Sequence, residues 1–451
     1  MTDKFDVIAI GTGAAASAVA HRCRAAGLQV AVVDSRPFGG TCALRGCDPK
    51  KVLVGAAEAV DWARRMKGIG IRAEQLQIEW SELMRFKRTF TDPVPKNSEA
   101  TFAKAGIATF HGRAHFVRRS RVQVSDQTLD SRYIVIAAGQ KPADLKIPGV
   151  EHLTTSEQFL ELDKLPPQIL FIGGGYIAFE FAHVAVRVGS KVTIVHRGER
   201  PLLQFDPDLV DQIAAKSREL GIEAQLGTQA QGVEKTNSSQ FVVHASKAGQ
   251  PRVFEADMVV HAAGRVPDID DMNLDGASIE WDQRGVRVNE FLQSVSNPAV
   301  CAAGDAAASG GLPLTPVAGY EGTIVAANLL KGNHRKPNYV GIPTVVFTIP
   351  PLASVGLSER AARQQGLKYG VKKELTSAWY SSRRVAEKYS GYKVLVEEGT
   401  DRILGAHLLG DQAAETINLF AVAIRSGMRA TDLRHMVFSY PTHASDVPYM
   451  L

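Results

Sequence analysis

Cysteine is scarce here: the 451 residues hold four, and only Cys42 and Cys47 are close in sequence. That excludes the dense disulfide framework of a small secreted domain, and it suits a reducing compartment, where two neighbouring thiols serve better as a working dithiol than as a staple. Long apolar runs are also missing. No stretch approaches the roughly 20 residues of a bilayer-spanning helix, so no membrane partner is expected. The opening residues, MTDKFDVIAI, lack the basic region, apolar core and small-residue cleavage site of a secretory signal, and a cytoplasmic location is expected. Charge is nearly balanced, at a net +5 with a pI near 8.9. The basic clusters Arg118, Arg119, Arg121 and Arg383, Arg384 have no interleaved aromatics, so they read as solvated surface and no nucleic acid is expected as a partner. No resident metal is expected either.

What is present has the balance of a globular protein, 45% apolar and 22% charged, at a length that calls for roughly two to four domains. Residues 5–34 read FDVIAIGTGAAASAVAHRCRAAGLQVAVVD, a strand, glycine turn, alanine-rich helix and second strand. Gly11 permits the tight turn, Gly13 lets the backbone approach a pyrophosphate, and Ala16 allows close helix packing. Asp34 ends the second strand, where a ribose hydroxyl would meet it. Cys23 in the helix and Cys301 in a later strand read as core.

The pattern restarts at Gln168 with QILFIGGGYIAFEFAHVAVRVGSKVTIVHR, in which Gly173, Gly175 and Ala178 take the fingerprint positions. A second nucleotide is implied. This unit ends in His196, Arg197 and Arg200, where an acid ordinarily holds the ribose of NAD. Arginines favour a 2′-phosphate, so NADPH is expected, with NADH possible. Glu180, on the intervening helix, is not needed for phosphate. IVIAAGQKP and DMVVHAAGRVP resemble each other, as they would if both units close alike. The small-residue turn at Ala137, Ala138 and Gly139 reads equally as a ligand wall or a tight strand crossing. Asp305 reads equally as an acid for ribose or ribitol hydroxyls or as a turn acid before the helix near Thr315. After the polar link KGNHRKPNY a third, β-rich and then helical domain begins, and the apolar end of FSYPTHASDVPYML suggests a tail docked on protein.

Between the first unit and the rest lies GGTCALRGCDPKK, residues 39–51. Two thiols this close can exchange electrons as a disulfide, and Pro49 suits the first turn of a helix. Cys47 would then sit near a helix N-terminus beside Lys50 and Lys51, both of which favour a thiolate. Two neighbouring core cysteines are the alternative.

This stretch resembles the GGTCxxxGCxPxK redox motif of the flavoprotein disulfide reductases, the family of glutathione reductase, dihydrolipoamide dehydrogenase and mercuric-ion reductase. Ordered matches spread the resemblance over nearly the whole chain: GTGAAA with Asp34, GGGYIAFE, AAGRVP, AAGD at Asp305, LTPVA, VVFTIPPLASVGLSE and TDRILGAHLLG. It implies an α/β protein with two Rossmann-like dinucleotide-binding domains, for FAD (1–150 and 271–337) and NADPH (151–270), and an α+β C-terminal dimerisation domain (338–451). The cofactor-binding residues it implies are Gly11, Gly13, Ala16, Asp34, Gly40, Thr41, Lys51, Ala114, Ala138, Gly139, Asp305 and Thr315, together with Gly173, Gly175, Ile177, Arg197, Arg200 and Gly264. Hydride would pass from NADPH to the flavin, which reduces the disulfide. Cys47 would be the charge-transfer thiolate and Cys42 the attacking thiol, with Lys51 near flavin N5 and paired with Glu180. A homodimer is implied, the C-terminal tail completing the partner's site.

Three departures bear on function. Where the family has His-Pro-Thr-x-x-Glu, this chain has Tyr440-Pro441-Thr442-His443-Ala444-Ser445, which replaces the usual proton donor by Tyr440 and its carboxylate partner by Ser445. Mercuric-ion reductases resemble it in that tyrosine, but the last residues here, Pro-Tyr-Met-Leu, lack their vicinal cysteines. Asp48 stands where the family prefers an aliphatic residue; it can cap the helix or oppose a Cys47 thiolate. The expected function is NADPH-driven reduction of a small disulfide, as in glutathione reductase. The alternatives are reduction of Hg²⁺ or Cu²⁺ using Cys42, Cys47 and Tyr440, and a non-catalytic redox sensor or flavoprotein subunit. His443 is a candidate substitute proton donor.

Overall fold

The computed structural model describes residues 2–237 and 240–451. Contacts gather the chain into two compact units, one of Met1–Lys50, Arg85–Asp144 and Gly264–Asn338, the other of Lys51–Met84, Leu145–Ala263 and Tyr339–Leu451.

The first unit is built on parallel strands whose central stretches, residues 7–10, 30–33 and 134–136, are apolar and buried, as a sheet covered on both sides requires. Strand Thr2–Ile10 pairs with Val30–Asp34 on one side, Val7 opposite Val30, and with Gln127–Ile136 on the other, Ile10 opposite Ile136. Val30–Asp34 carries Ala108–His111 at its outer edge. The long strand Gln127–Ile136 divides its partners: its first half takes the antiparallel strands Arg121–Val124 and, beyond it, Ala114–Arg118, and its second half takes Val300–Ala302. Helix Ala14–Ala25 lies on the sheet through Ala15, Ala16, Val19 and Ala20, all buried. Helix Thr315–Lys331 crosses it so closely that a Cβ at Gly322 would overlap the carbonyl of Ala15. Cys23 and Cys301 are core residues here, as expected, and burial pushes their thiols up to about 11 and about 12.

The second unit holds the repeat. Strands Gln168–Ile172, Lys191–Val195, Met258–His261, Glu223–Gln225 and Thr154–Thr155 form a parallel sheet, and a three-stranded antiparallel sheet spans Thr228–Lys235, Phe241–Lys247 and Gln250–Ala256. The C-terminal part is a five-stranded antiparallel sheet in the order Thr344–Val346, Leu352–Gly356, Ile403–Leu409, Gly391–Glu397, Tyr369–Leu375. It packs on helix Ala413–Ser426 and on the tail residues Val447, Met450 and Leu451. No helix among the described residues is long and apolar enough to cross a membrane.

Candidate active site

Both strand–helix turns are held in the same way. Gly11 has φ +112°, and a Cβ there would overlap the carbonyl of Ala137; Gly173 has φ +129°, and a Cβ there would overlap that of Ala262. The two small-residue turns are therefore tight crossings, each pressing on the first glycine of its own fingerprint. In the first unit the same turn also walls a cavity through Ala138 and Gly139.

That cavity runs from the N-terminus of helix Ala14–Ala25 to the two cysteines. It is lined by Gly11, Gly13, Asp34, Gly40, Thr41, Ala114, Asp305 and Thr315 among the residues expected to hold a cofactor, and by Cys42 and Cys47. Ala16 is buried and does not line it. The helix starts at Gly13 without a side-chain cap and without an acid in its first turn, which leaves N–H donors for an anion. Asp34 is fixed by the Thr12 hydroxyl at 2.7 Å and by the Arg36 backbone N–H at 3.0 Å. Gly40 packs so tightly that a Cβ would overlap Gly13 Cα. At the far end Asp305 is held above the ordinary carboxylate range by burial, which the nearby Arg265 opposes. A donor-rich helix end, an acid at the end of the second strand and a second acid along one cleft fit a dinucleotide such as FAD.

Beyond the cavity, helix Gly40–Arg45 and helix Cys47–Arg65 meet at Gly46, and this bend presents both thiols. They are free: Cys47 is exposed and Cys42 partly so. Cys47 Sγ lies 3.5 Å from the Thr315 hydroxyl, and Cys42 Sγ lies within hydrogen-bond reach of Asp48 Oδ1 at 3.7 Å. The thiols part in character. Cys47 is lowered to about 6, first by the hydrogen bond from Cys42 and further by Thr315 and Lys50, against desolvation and Asp48. Cys42 is raised by its hydrogen bond to Cys47 and by burial. At neutral pH the pair therefore carries one proton, on Cys42, with Cys47 the thiolate.

Lys51 does not take its expected partner. Its Nζ pairs with Glu58 at 3.0 Å, is nearly half exposed and lies 4.6 Å from the centre of the Phe347 ring. Glu180 is buried and its Oε1 accepts the Phe347 N–H at 2.8 Å. Both side chains touch Phe347, but the expected Lys51–Glu180 pair is replaced by Lys51–Glu58. Lys50 is the buried lysine, and it is the cation that acts on Cys47.

In the second unit Gly175 starts helix Tyr176–Val188, on which Ile177 is part-buried. Arg197 and Arg200 are exposed just beyond strand Lys191–Val195, with Arg200 3.4 Å from Asp211. Gly264 belongs to the first unit, next to Arg265, which lines its cavity. In the tail Tyr440 is 82% exposed. Ser445 closes a capping box with Thr442, so it acts on its own turn and supplies no carboxylate. His443 is held below its ordinary range by burial, against Asp446 and Asp411, which leaves it neutral at physiological pH and weak as a proton donor.

The comparisons decide the family. The chain matches the pyridine nucleotide-disulphide oxidoreductase family over residues 5–322 and the dimerisation domain of that family over 342–450. It belongs to this family. It is 32% identical to a mercuric reductase of Staphylococcus aureus over 98% of the chain and 80% of the relative, and 31% identical to a glutathione reductase of Burkholderia cepacia over 98% and 97%. Among solved structures, the Cu(II) complex of the HOCl-induced flavoprotein disulfide reductase RclA from Escherichia coli superposes with a TM-score of 0.89 at 26% identity, covering 100% of this chain and 99% of that one. The chain is thus an NAD(P)H-dependent flavoprotein oxidoreductase that uses FAD, and its dimerisation domain makes it a homodimer.

For this pyridine nucleotide-disulphide oxidoreductase, sequence reasoning missed the groups that hold the named residues in place. Thr12 bridges Asp34 and the Gly39 N–H. Glu321, 1% exposed, accepts from the Gly304 N–H at 2.7 Å and the Ser309 hydroxyl at 2.6 Å and so fixes the turn bearing Asp305. An acid within an otherwise apolar helix was the available signal. The clustered acids Asp268, Asp270 and Asp271 are answered by Arg113 and Lys141.

Proposed function

We propose that the chain is an NADPH-dependent reductase that passes two electrons to the Cys42–Cys47 disulfide and on to a small disulfide substrate. The observation that carries this is the placement of both thiols on one bend lining the cofactor cavity, Cys47 Sγ 3.5 Å from the Thr315 hydroxyl and Cys42 Sγ 3.7 Å from Asp48 Oδ1, an arrangement in which Cys47 is lowered to about 6 and Cys42 is raised. FAD bound in the cavity supplies the exchange of an electron pair between a nicotinamide and a disulfide. The uncapped N-terminus at Gly13 would take its pyrophosphate, Asp34 a ribose hydroxyl and Asp305 a ribitol hydroxyl, with Gly40, Thr41, Ala114, Ala138, Gly139 and Thr315 around them. Gly173, Gly175 and Ile177 would hold the nicotinamide nucleotide, and Arg197 and Arg200 its 2′-phosphate. In this reading 1–150 with 271–337 is the FAD domain, 151–270 the NADPH domain and 338–451 the interface domain, whose tail carries Tyr440 to the partner's site.

The Cys42 thiol attacks a substrate sulfur and breaks its disulfide, releasing one thiol. The Cys47 thiolate then attacks Cys42, releases the second thiol and restores the internal disulfide. An NADPH oxidation panel tests this with glutathione disulfide, lipoamide, Hg²⁺, Cu²⁺ and quinones. Turnover of a disulfide that disappears in Cys42→Ser supports the reading; turnover with quinones alone removes it.

A second reading, reduction of Hg²⁺ or Cu²⁺, is favoured by Tyr440 and Ser445. A phenol is a poorer proton donor to a thiolate leaving group than the family's imidazole, whereas a metal ion needs none. Metal-dependent NADPH oxidation without disulfide turnover would select it.

A further inference from the structure

The proton on Cys42 needs a route away when that sulfur attacks. Among the described residues of this chain, the groups that act most on the two thiols are Thr315, Lys50, Asp48 and each other. Lys50 has no acceptor to offer as a cation, and the Thr315 hydroxyl is a poor base. A proton given to Cys47 would quench the thiolate that the second exchange requires. Asp48 remains. It is exposed, sits directly after Cys47 at the start of helix Cys47–Arg65, and its Oδ1 lies within hydrogen-bond reach of the Cys42 thiol at 3.7 Å.

We propose that Asp48 is a catalytic residue that shuttles the Cys42 proton. Resting on the reading of Cys42 as the attacking thiol, the step balances as follows. Cys42 Sγ bonds to one substrate sulfur as the substrate S–S bond breaks; the Cys42 proton passes to the Asp48 carboxylate and from there to the departing thiolate, which leaves as a thiol. Cys47 then closes the internal disulfide, the second thiolate takes its proton from water, and the dithiol has lost two electrons to the substrate. The exposure of Asp48 lets it reach both the attacking and the leaving sulfur, and its negative charge does not forbid the role, since a base here must be unprotonated.

The sign of the effect separates this role from a purely electrostatic one. A bystander carboxylate beside a thiol only discourages the thiolate, so its removal would speed attack. A proton shuttle slows when removed. General acid–base catalysis is typically worth about 10²–10⁴-fold. A carboxylate is a weaker base than imidazole, which puts the expected loss below that range, at about tenfold or more.

The test follows single-turnover oxidation of the NADPH-reduced, FAD-loaded protein by glutathione disulfide in wild type, Asp48→Asn, Asp48→Glu and Cys42→Ser, with flavin content and melting temperature checked for each. The expected result is that Asp48→Asn oxidises at least about tenfold more slowly at neutral pH and regains rate as the pH rises toward the thiol range, while Asp48→Glu recovers much of the loss. An Asp48→Asn rate equal to or above wild type overturns the inference. If Cys42→Ser still reacts at the wild-type rate, the attacking thiol itself is misassigned and the proposed function falls first; if Cys42→Ser is inert and Asp48→Asn is not slowed, only the shuttle falls.

Discussion

Cys42 and Cys47 differ although five positions apart on one bend, because each is the other's largest perturbation: a proton held by Cys42 stabilises a negative charge on Cys47. Replacing Cys42 by serine keeps a donor, whereas alanine removes it. Cys42→Ala is therefore expected to raise Cys47 from about 6 toward the ordinary thiol value near 8.5, read from thiolate absorbance or alkylation rate against pH in the reduced protein. The sign follows from the direction of the shift: in the wild type Cys47 is expected to be half thiolate near pH 6 and to lose reactivity as the pH falls through that value. Arg197 gives a second prediction at this scale. It is exposed, and among the described residues no acid pairs with it, whereas Arg200 is engaged by Asp211 at 3.4 Å. Arg197→Ala should raise KM for NADPH by roughly 10- to 100-fold, the worth of a charge-assisted hydrogen bond, and leave KM for NADH nearly unchanged. Equal effects on both nucleotides would remove Arg197 from the 2′-phosphate site.

At the scale of elements, both strand–turn–helix units were legible in the sequence because their signals are local: an apolar run, glycines at fixed offsets and a helix with small residues on one face. Gly11→Ala is expected to abolish flavin retention, since φ +112° and the Ala137 carbonyl both exclude a side chain; the bound flavin per chain after purification measures it. What stayed illegible is polar and long-range. Helix Tyr176–Val188 reads as a nucleotide helix, yet one of its faces is a polar stripe. Tyr176 bonds Thr344, Glu180 the Phe347 N–H, His183 the Ile349 N–H, and Arg187 Asp61. These partners lie more than a hundred residues away, so no spacing in the sequence announces them, and Glu180 was given to Lys51. The two lysines illustrate the same limit: adjacent helical positions point about 100° apart, and only the fold shows that Lys50 is the buried one. Asp61, 4% exposed, accepts from Arg187 and Arg65 and lies 3.8 Å from Lys216. Breaking a buried pair on one side costs about 3–5 kcal/mol, so Arg187→Ala should lower the melting temperature by several degrees.

For the whole molecule, the dimerisation domain leaves apolar side chains in water within a single chain: Val437 is 98% exposed and Tyr449 69%. Exposed residues of this size near a docked tail are expected to lie in the homodimer interface. Val437→Asp should shift the sedimentation profile toward monomer, and with it disulfide turnover should fall if the tail bearing Tyr440 completes the partner's site. An intact dimer would place the interface elsewhere. The central claim is that electrons from NADPH reach the Cys42–Cys47 disulfide. The most direct measurement counts thiols in the denatured FAD-loaded protein before and after anaerobic NADPH. Of the four cysteines, Cys23 and Cys301 are buried core thiols, so the account predicts two thiols per chain in the oxidised protein and four after NADPH, with no increase in Cys47→Ser. A count that NADPH leaves unchanged in the wild type would contradict it.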